Sequence, residues 1–280
     1  LATVLAHRPP AEGFVTRWGW TVASATLRGV SPGVLSQFTT WGARIAWLLV
    51  AVVGGAAIGD AAADRSDAVQ FVATGGAWLG WAAGAIALVV PSVTSLTLAR
   101  AVVPGSLLVA ATATIYGADP GKVMALVVPA VVACVLVAAG ETGRTWVQAS
   151  AYGDEQRFPL RPPLGYLTAC AVSWLIAASA TIAAPLAWAA GASAVAIPTT
   201  LVVIASAWFL PRRWHQLSRR WLVTVPAGLV VHDPVVLGET FLNLRANLTG
   251  LGLAELGPGV GSEAAYLTGP TAGVAIEVTL

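Results

Sequence analysis

Acidic residues spaced for a divalent cation are the first place to look for chemistry. Asp60, Asp64 and Asp67 recur at intervals of four and three, and carboxylates so placed suit Mg²⁺ in enzymes that work on lipids. Such enzymes use longer and stricter motifs, and Arg65 stands inside this cluster, so a solvated connector is the expectation and no metal ligand is assigned. Glu141 and Arg144, and the run Tyr152-Gly153-Asp154-Glu155, would serve general acid–base work only beside a partner that shifts a pKa. A charged loop close to the membrane is the expectation for them. His215 and His232 have no ligand spacing to a cysteine or an acid, and Cys134 and Cys170 lie in apolar stretches as small buried hydrophobes. The chain contains no His-Glu-x-x-His, no Gly-x-Ser-x-Gly elbow and no phosphate-binding glycine loop with a lysine. No catalytic, cofactor-binding or metal-binding residue is assigned, and no enzymatic activity.

The elements that carry these residues are apolar. Hydrophobic residues make up 57% of the 280 and charged residues 10%, against about a quarter charged in soluble domains. A water-soluble globule of this composition would expose a large apolar surface, so the expected solvent is lipid. A net charge of +2 without a basic patch argues against nucleic acid as a partner.

A crossing needs roughly 20 mostly apolar residues, and six stretches qualify. They cover residues 41–59, 72–96 (kinked at Pro91), 101–115, 122–139, 164–188 and 192–210. Arg100 has two placements, a tight turn before the third helix or the interior of a longer span from Ser92. The cost of an arginine at the bilayer centre favours the turn. The division expected is an N-terminal segment over 1–40, a six-helix membrane domain over 41–210, and a basic stretch with a β tail over 211–280. The first 40 residues read as loop or as an interfacial stretch bearing Phe14, Trp18 and Trp20, without a secretory signal. The chain starts at Leu1 and stops at Leu280 inside a strand-like run, as a fragment would.

With six crossings, Arg8, Arg17, Arg28, Arg44, Arg100, Arg144, Arg157, Arg161, Arg212, Arg213, Arg219, Arg220 and Arg245 fall on one side. Only Arg65 and Lys122 of the 15 basic residues fall on the other. Basic loops stay in the cytoplasm, so both termini are expected there. Trp41, Trp47, Trp188, Trp208 and Trp214 are placed near span ends, where indole prefers the headgroup layer.

The spans contain no Asp, Glu or His by this division, which disfavours proton- and ion-coupled carriers. Gly76, Gly80 and Gly84 on the second span, with Gly55 and Gly59 on the first, clear helix faces for close approach. Packing within the chain is the expected use, and an oligomer contact is the alternative. Arg212, Arg213, Trp214, Arg219, Arg220 and Trp221 are assigned to the anionic lipid surface.

After Arg220 the pattern becomes strand, turn, strand: 221–225, Pro226-Ala227-Gly228, then 229–233. A further strand is expected over 240–244, and a hairpin from Tyr266 through the turn at 269–273 to Leu280. The run Arg219-Arg220-Trp221-Leu222-Val223-Thr224-Val225-Pro226-Ala227-Gly228-Leu229-Val230-Val231-His232-Asp233, directly after a basic-flanked helix, resembles the start of bacterial pleckstrin-homology-like domains. The whole arrangement is similar to uncharacterised multi-pass membrane proteins of high-GC Gram-positive bacteria, and 14 arginines against a single lysine agree with such a genome. The resemblance covers about the last 70 residues of the chain and lacks that fold's closing helix. It implies a small antiparallel β domain, incomplete here, and transfers no functional residue. The expectation is a six-helix α bundle with a β tail in a bacterial cytoplasmic membrane. Its expected role is a non-enzymatic scaffold or regulator whose tail binds a protein or anionic lipid head groups. The alternatives are a transporter or channel for a small solute and, third, a membrane-embedded enzyme.

Overall fold

The computed structural model describes residues 4–7, 32–255, 265–267 and 274–279. The helices are α1 (Pro32–Ala62), α2 (Asp67–Val89), α3 (Val93–Val102), α4 (Gly105–Ile115), α5 (Pro120–Ala138), α6 (Gly140–Gln148), α7 (Leu164–Ala189) and α8 (Ser193–Ser218). The strands are β1 (Val4–His7), β2 (Gln156–Pro159), β3 (Trp221–Val225), β4 (Gly228–His232), β5 (Phe241–Leu244), β6 (Gly250–Glu255), β7 (Ala265–Tyr266) and β8 (Val274–Thr279). Six segments are long and apolar enough to cross a membrane, α3 and α4 together forming the third.

Local chemistry sets the helix ends. Asp119 caps α5 by accepting the Lys122 N–H at 3.1 Å, with Pro120 in the first turn where its missing N–H costs nothing. The Ser92 hydroxyl caps α3 by accepting the Ser95 N–H at 3.0 Å. The connection from α7 to α8 turns at Gly191, whose φ of 70° favours glycine.

Several boundaries differ from expectation. The first helix begins at Pro32 and its span at Val34, both inside the segment assigned to residues 1–40, with proline at the first helical position where its missing N–H costs nothing. The last span runs to Ser218, so Arg212, Arg213 and Trp214 lie on its final turns rather than on a connector. Arg100 is not in a turn; it is on α3, within a span that starts at Val93. Its long side chain reaches out of the helix, with Nε donating to the Val137 carbonyl at 3.5 Å near the end of α5. The loop over 140–163 contains both α6 and β2.

The membrane helices form two unequal groups. Large side chains of α1 to α6 make one core, including Trp47, Leu88, Leu96, Leu126, Val137, Trp146 and Val147. No residue of α7 or α8 belongs to that core among the described residues. Those two helices pair through small residues, with Ala177, Ala180, Ala184 and Ala187 of α7 and Ala196 of α8 buried. Their large apolar side chains (Ile176, Leu201, Ile204 and Phe209 among them) point outward.

Two four-stranded sheets lie beyond the helices. The first is antiparallel, in the order β2-β3-β4-β5, and the second has the order β6-β8-β1-β7. The 221–233 hairpin and the strand near 240–244 form as expected. The expected hairpin of 266–280 does not: β1, from the N-terminal segment, lies between β7 and β8, parallel to β8 and antiparallel to β7. Its turn at 269–273, and Phe14, Trp18 and Trp20, fall outside the described residues. Leu160, Leu222, Leu229, Val231, Leu267 and Val278 form a core shared by both sheets. The N-terminal strand, the 139–163 connection and the C-terminal strands thus meet on one side of the bundle.

Candidate functional site

The third span is broken at its middle residue. Pro104 has no N–H to give the Arg100 carbonyl, so α3 stops at Val102 and α4 restarts at Gly105. Tighter turns bridge the gap, with Ser106 N–H donating to Val103 O at 3.2 Å and Leu107 N–H to Pro104 O at 3.1 Å. The buried Ser106 hydroxyl donates to the same Val103 carbonyl at 2.7 Å. The Ala101 carbonyl, just before the break, accepts the Trp174 indole N–H of α7 at 2.7 Å.

This contact belongs to a polar seam between the broken span and the α7–α8 pair. The Thr97 hydroxyl, which donates to Val93 O at 3.1 Å, lies 3.0 Å from Nδ1 of His215 on α8. Trp214 Nε1 donates to the Ser173 hydroxyl of α7 at 3.3 Å. On the opposite side of α3, an Arg100 guanidinium nitrogen lies 3.0 Å from where a Cβ on Gly143 of α6 would stand, so that glycine makes room for it. The Trp146 indole N–H, on the same buried face of α6, has no hydrogen-bond partner among the described residues.

The other end of the bundle is tied by charge. Lys122 Nζ meets Asp60 Oδ1 at 2.6 Å, and Asp60 Oδ2 accepts the Asp119 N–H at 2.6 Å. Arg65 lies over the Tyr116 ring. The Asp60, Asp64, Asp67 spacing therefore places Asp60 in an ion pair. No group of three or more His, Cys, Asp or Glu suited to a metal gathers among the described residues.

The glycine assignments need correction. Gly55, Gly59, Gly76 and Gly80 have no atom within 4 Å of a would-be Cβ, so among the described residues no other helix packs closely on them. Gly84 alone of the five meets a neighbour: the Trp47 ring comes within 2.5 Å of that position. That ring is held by a reciprocal pair, Trp47 Nε1 donating to Trp81 O at 2.9 Å and Trp81 Nε1 to Trp47 O at 3.0 Å. Trp47 is thus 3% exposed in mid-span, not at the headgroup layer. The glycines of α1 that face α5 are Gly42 and Gly54, opposite Leu136 and Leu126. Nothing in the sequence separates Gly54 from Gly55. Tryptophans in the middle of a span (Trp81, Trp174) were the available signal for interhelix hydrogen bonds.

The lipid-surface assignments divide. Arg212, Arg213 and Arg219 are exposed and Trp214 is half-buried. Arg220 is 1% exposed, its Nε donating to Asp233 Oδ1 at 2.7 Å, its second nitrogen to Asp233 Oδ2, and its third to the Arg161 carbonyl at 2.7 Å. Asp233 also accepts the N–H groups of Val235 and Val236. A buried guanidinium needs such a partner, and the strand after Arg220 carries it inward. Trp221 is likewise engaged within the chain: it stacks on His232 at 5.2 Å, lies under Arg157 at 5.2 Å, and packs against the helix core. His232 is held below its ordinary pKa by burial, then by Arg219 and Arg157, with Asp233 opposing.

Fold and site define a multi-pass α-helical membrane protein with a β domain on one side of the bundle. No family model, curated protein or solved structure matches the chain, so its own geometry carries the functional reading.

Proposed function

We propose that this protein is a non-enzymatic scaffold or regulator of a bacterial cytoplasmic membrane, whose β domain binds a cytoplasmic protein or the anionic lipid surface. The observation that carries the reading is the origin of the strands. β1 precedes the first span, β2 lies between the fourth and fifth, and β3 to β8 follow the last. Trp221 and the α6–β2 connection tie the domain to the helix core, so a partner bound below is coupled to helices above. The bias of basic residues supports a cytoplasmic position for this side. The β3–β4 hairpin is the part of the domain whose residues, 219–233, carry the resemblance to pleckstrin-homology-like domains, and that resemblance supports the reading. In cells lacking the gene, a chain ending at Ser218 should insert normally yet fail to restore the wild-type phenotype. Full restoration would sink this reading.

A specific observation favours a second reading, a transporter or channel for a small solute. Transporters place their sites where helices break near the bilayer midplane, as the third span does at Val103–Pro104. On this reading the chain ending at Ser218 keeps its flux, and Pro104→Ala, which rejoins the half-helices, loses it.

A further inference from the structure

Residues directly opposite in an antiparallel pair share a face of the sheet. In the first sheet, Val223 lies opposite Val230 and Val230 opposite Leu242, while Val225 and Leu244 both lie opposite Gly228. Trp221 and His232 complete that face. Apart from His232 it carries no polar side chain across β3, β4 and β5. The other face holds Leu222, Leu229 and Val231 against the second sheet, with Thr224 and Asn243 among them. An ordinary one-sided sheet alternates apolar-in and polar-out. On β5 Asn243 is 7% exposed and points inward beside Phe241, while Leu242 and Leu244 on the outer face are 58% and 53% exposed.

Exposure on this face rises strand by strand away from β2, which runs beside α6. Trp221 packs against the helix core and Val223 is 7% exposed, Val230 is half-buried, and Leu242 is open. Trp221 on this face packs against the helix core, so at β3 the face is turned toward the end of the bundle. Where it runs past the bundle, what continues beside that end is the bilayer interface. Exposed Arg212, Arg213 and Arg219 at the end of the last span supply positive charge to the same layer.

We infer that the outer face of β3–β5 is applied to the lipid leaflet beside the bundle, with Leu242 and Leu244 inserted at the headgroup–acyl boundary and the arginines on anionic head groups. The inference rests on the lipid arm of the proposed function and replaces Arg220 and Trp221 as the contacting residues. A strand-adding protein or a second copy are the other candidates for this face. Continuity with the Trp221 contact on the helix core, together with exposed Arg219 next to β3, favours lipid over both.

The test uses the full chain with Cys134→Ala and Cys170→Ala, at one copy per nanodisc of phosphatidylcholine and phosphatidylglycerol. A fluorophore on Leu242→Cys or Leu244→Cys should be quenched by shallow brominated acyl chains at least about twofold more than one on Gln156→Cys, exposed on the opposite face. Equal quenching at the three positions overturns the inference. So does a probe at 242 that stays aqueous in single-copy discs and is shielded only in two-copy discs, which assigns the face to a second copy. Should labelling unfold the domain, a diazirine lipid in discs of the unsubstituted chain decides the matter. Adducts on 241–248 support the inference, and adducts confined to the spans overturn it. Because no cellular partner enters, a negative result leaves protein binding by the tail, and the truncation at Ser218, as separate questions.

Discussion

Gly80 and Gly84 lie one turn apart on α2, and only the second has a neighbour. Trp47 is pinned against Gly84 by its hydrogen bond to Trp81 O, so a methyl group there has no room. Gly84→Ala should cost about 1–3 kcal/mol, the usual penalty for overpacking a core. Gly80→Ala should stay within about 0.5 kcal/mol. Thermal unfolding in detergent compares the two, and equal losses would contradict the packing described. At His232 the argument concerns protons. Its folded pKa is lowered by burial, so the unfolded chain, at about 6.5, binds the proton more readily. Stability of the β domain should therefore hold above that value and fall as pH drops below it. Trp221, stacked on His232, reports unfolding by its fluorescence. His232→Gln should flatten the difference between pH 7.5 and pH 5.5, and an unchanged slope would remove His232 as its source.

Between elements, the α7–α8 pair contributes no side chain to the main helix core among the described residues. In lipid, apolar surface gains little from helix association, so polar and small-residue contacts carry it. Here those contacts are Trp174 to Ala101 O and Thr97 to His215. Trp174→Phe keeps the aromatic ring and deletes the donor. It should cost about 0.6 kcal/mol, typical of an interhelical hydrogen bond in a membrane. Faster hydrogen exchange should accompany it in α4, beside the Pro104 break. Loss of stability spread evenly over all helices would mean that the bond does not join these two groups in particular.

For the whole molecule, strand pairing between β1 and β8 requires both ends of the described chain on one side of the bundle, and the β2–β3 pair adds the 139–163 connection to that side. Asp64 is exposed at the opposite end, between α1 and α2. In a chain without Cys134 and Cys170, an impermeant thiol reagent should label Asp64→Cys from outside intact cells and miss Asp154→Cys. The reverse pattern would keep the architecture and invert the orientation drawn from the basic residues.

Six spans, their approximate positions and the 221–233 hairpin were legible in the sequence, because each follows from local apolar length or period-two alternation. A span starting near Ser92 was visible as one of two placements for Arg100, and the structure has this one, with α3 capped by Ser92 and Arg100 donating to the Val137 carbonyl. Whether a glycine is met by a ring, as Gly84 is, or faces open space, as Gly80 does, depends on where another helix brings its side chain, and helical spacing is identical in the two cases. Arg220 and Arg219 are adjacent and chemically equal in the sequence. Strand alternation and the position of Asp233 thirteen residues on send one inside and leave the other in solvent. The place of β1 between β7 and β8 is likewise a tertiary fact, since four residues near the start carry no local mark of partners some 270 residues away. Composition and periodicity determined that this chain lives in a membrane. Which of its polar groups and glycines meet one another was decided by long-range packing, because pairing energies depend on distance in space and not on distance along the chain.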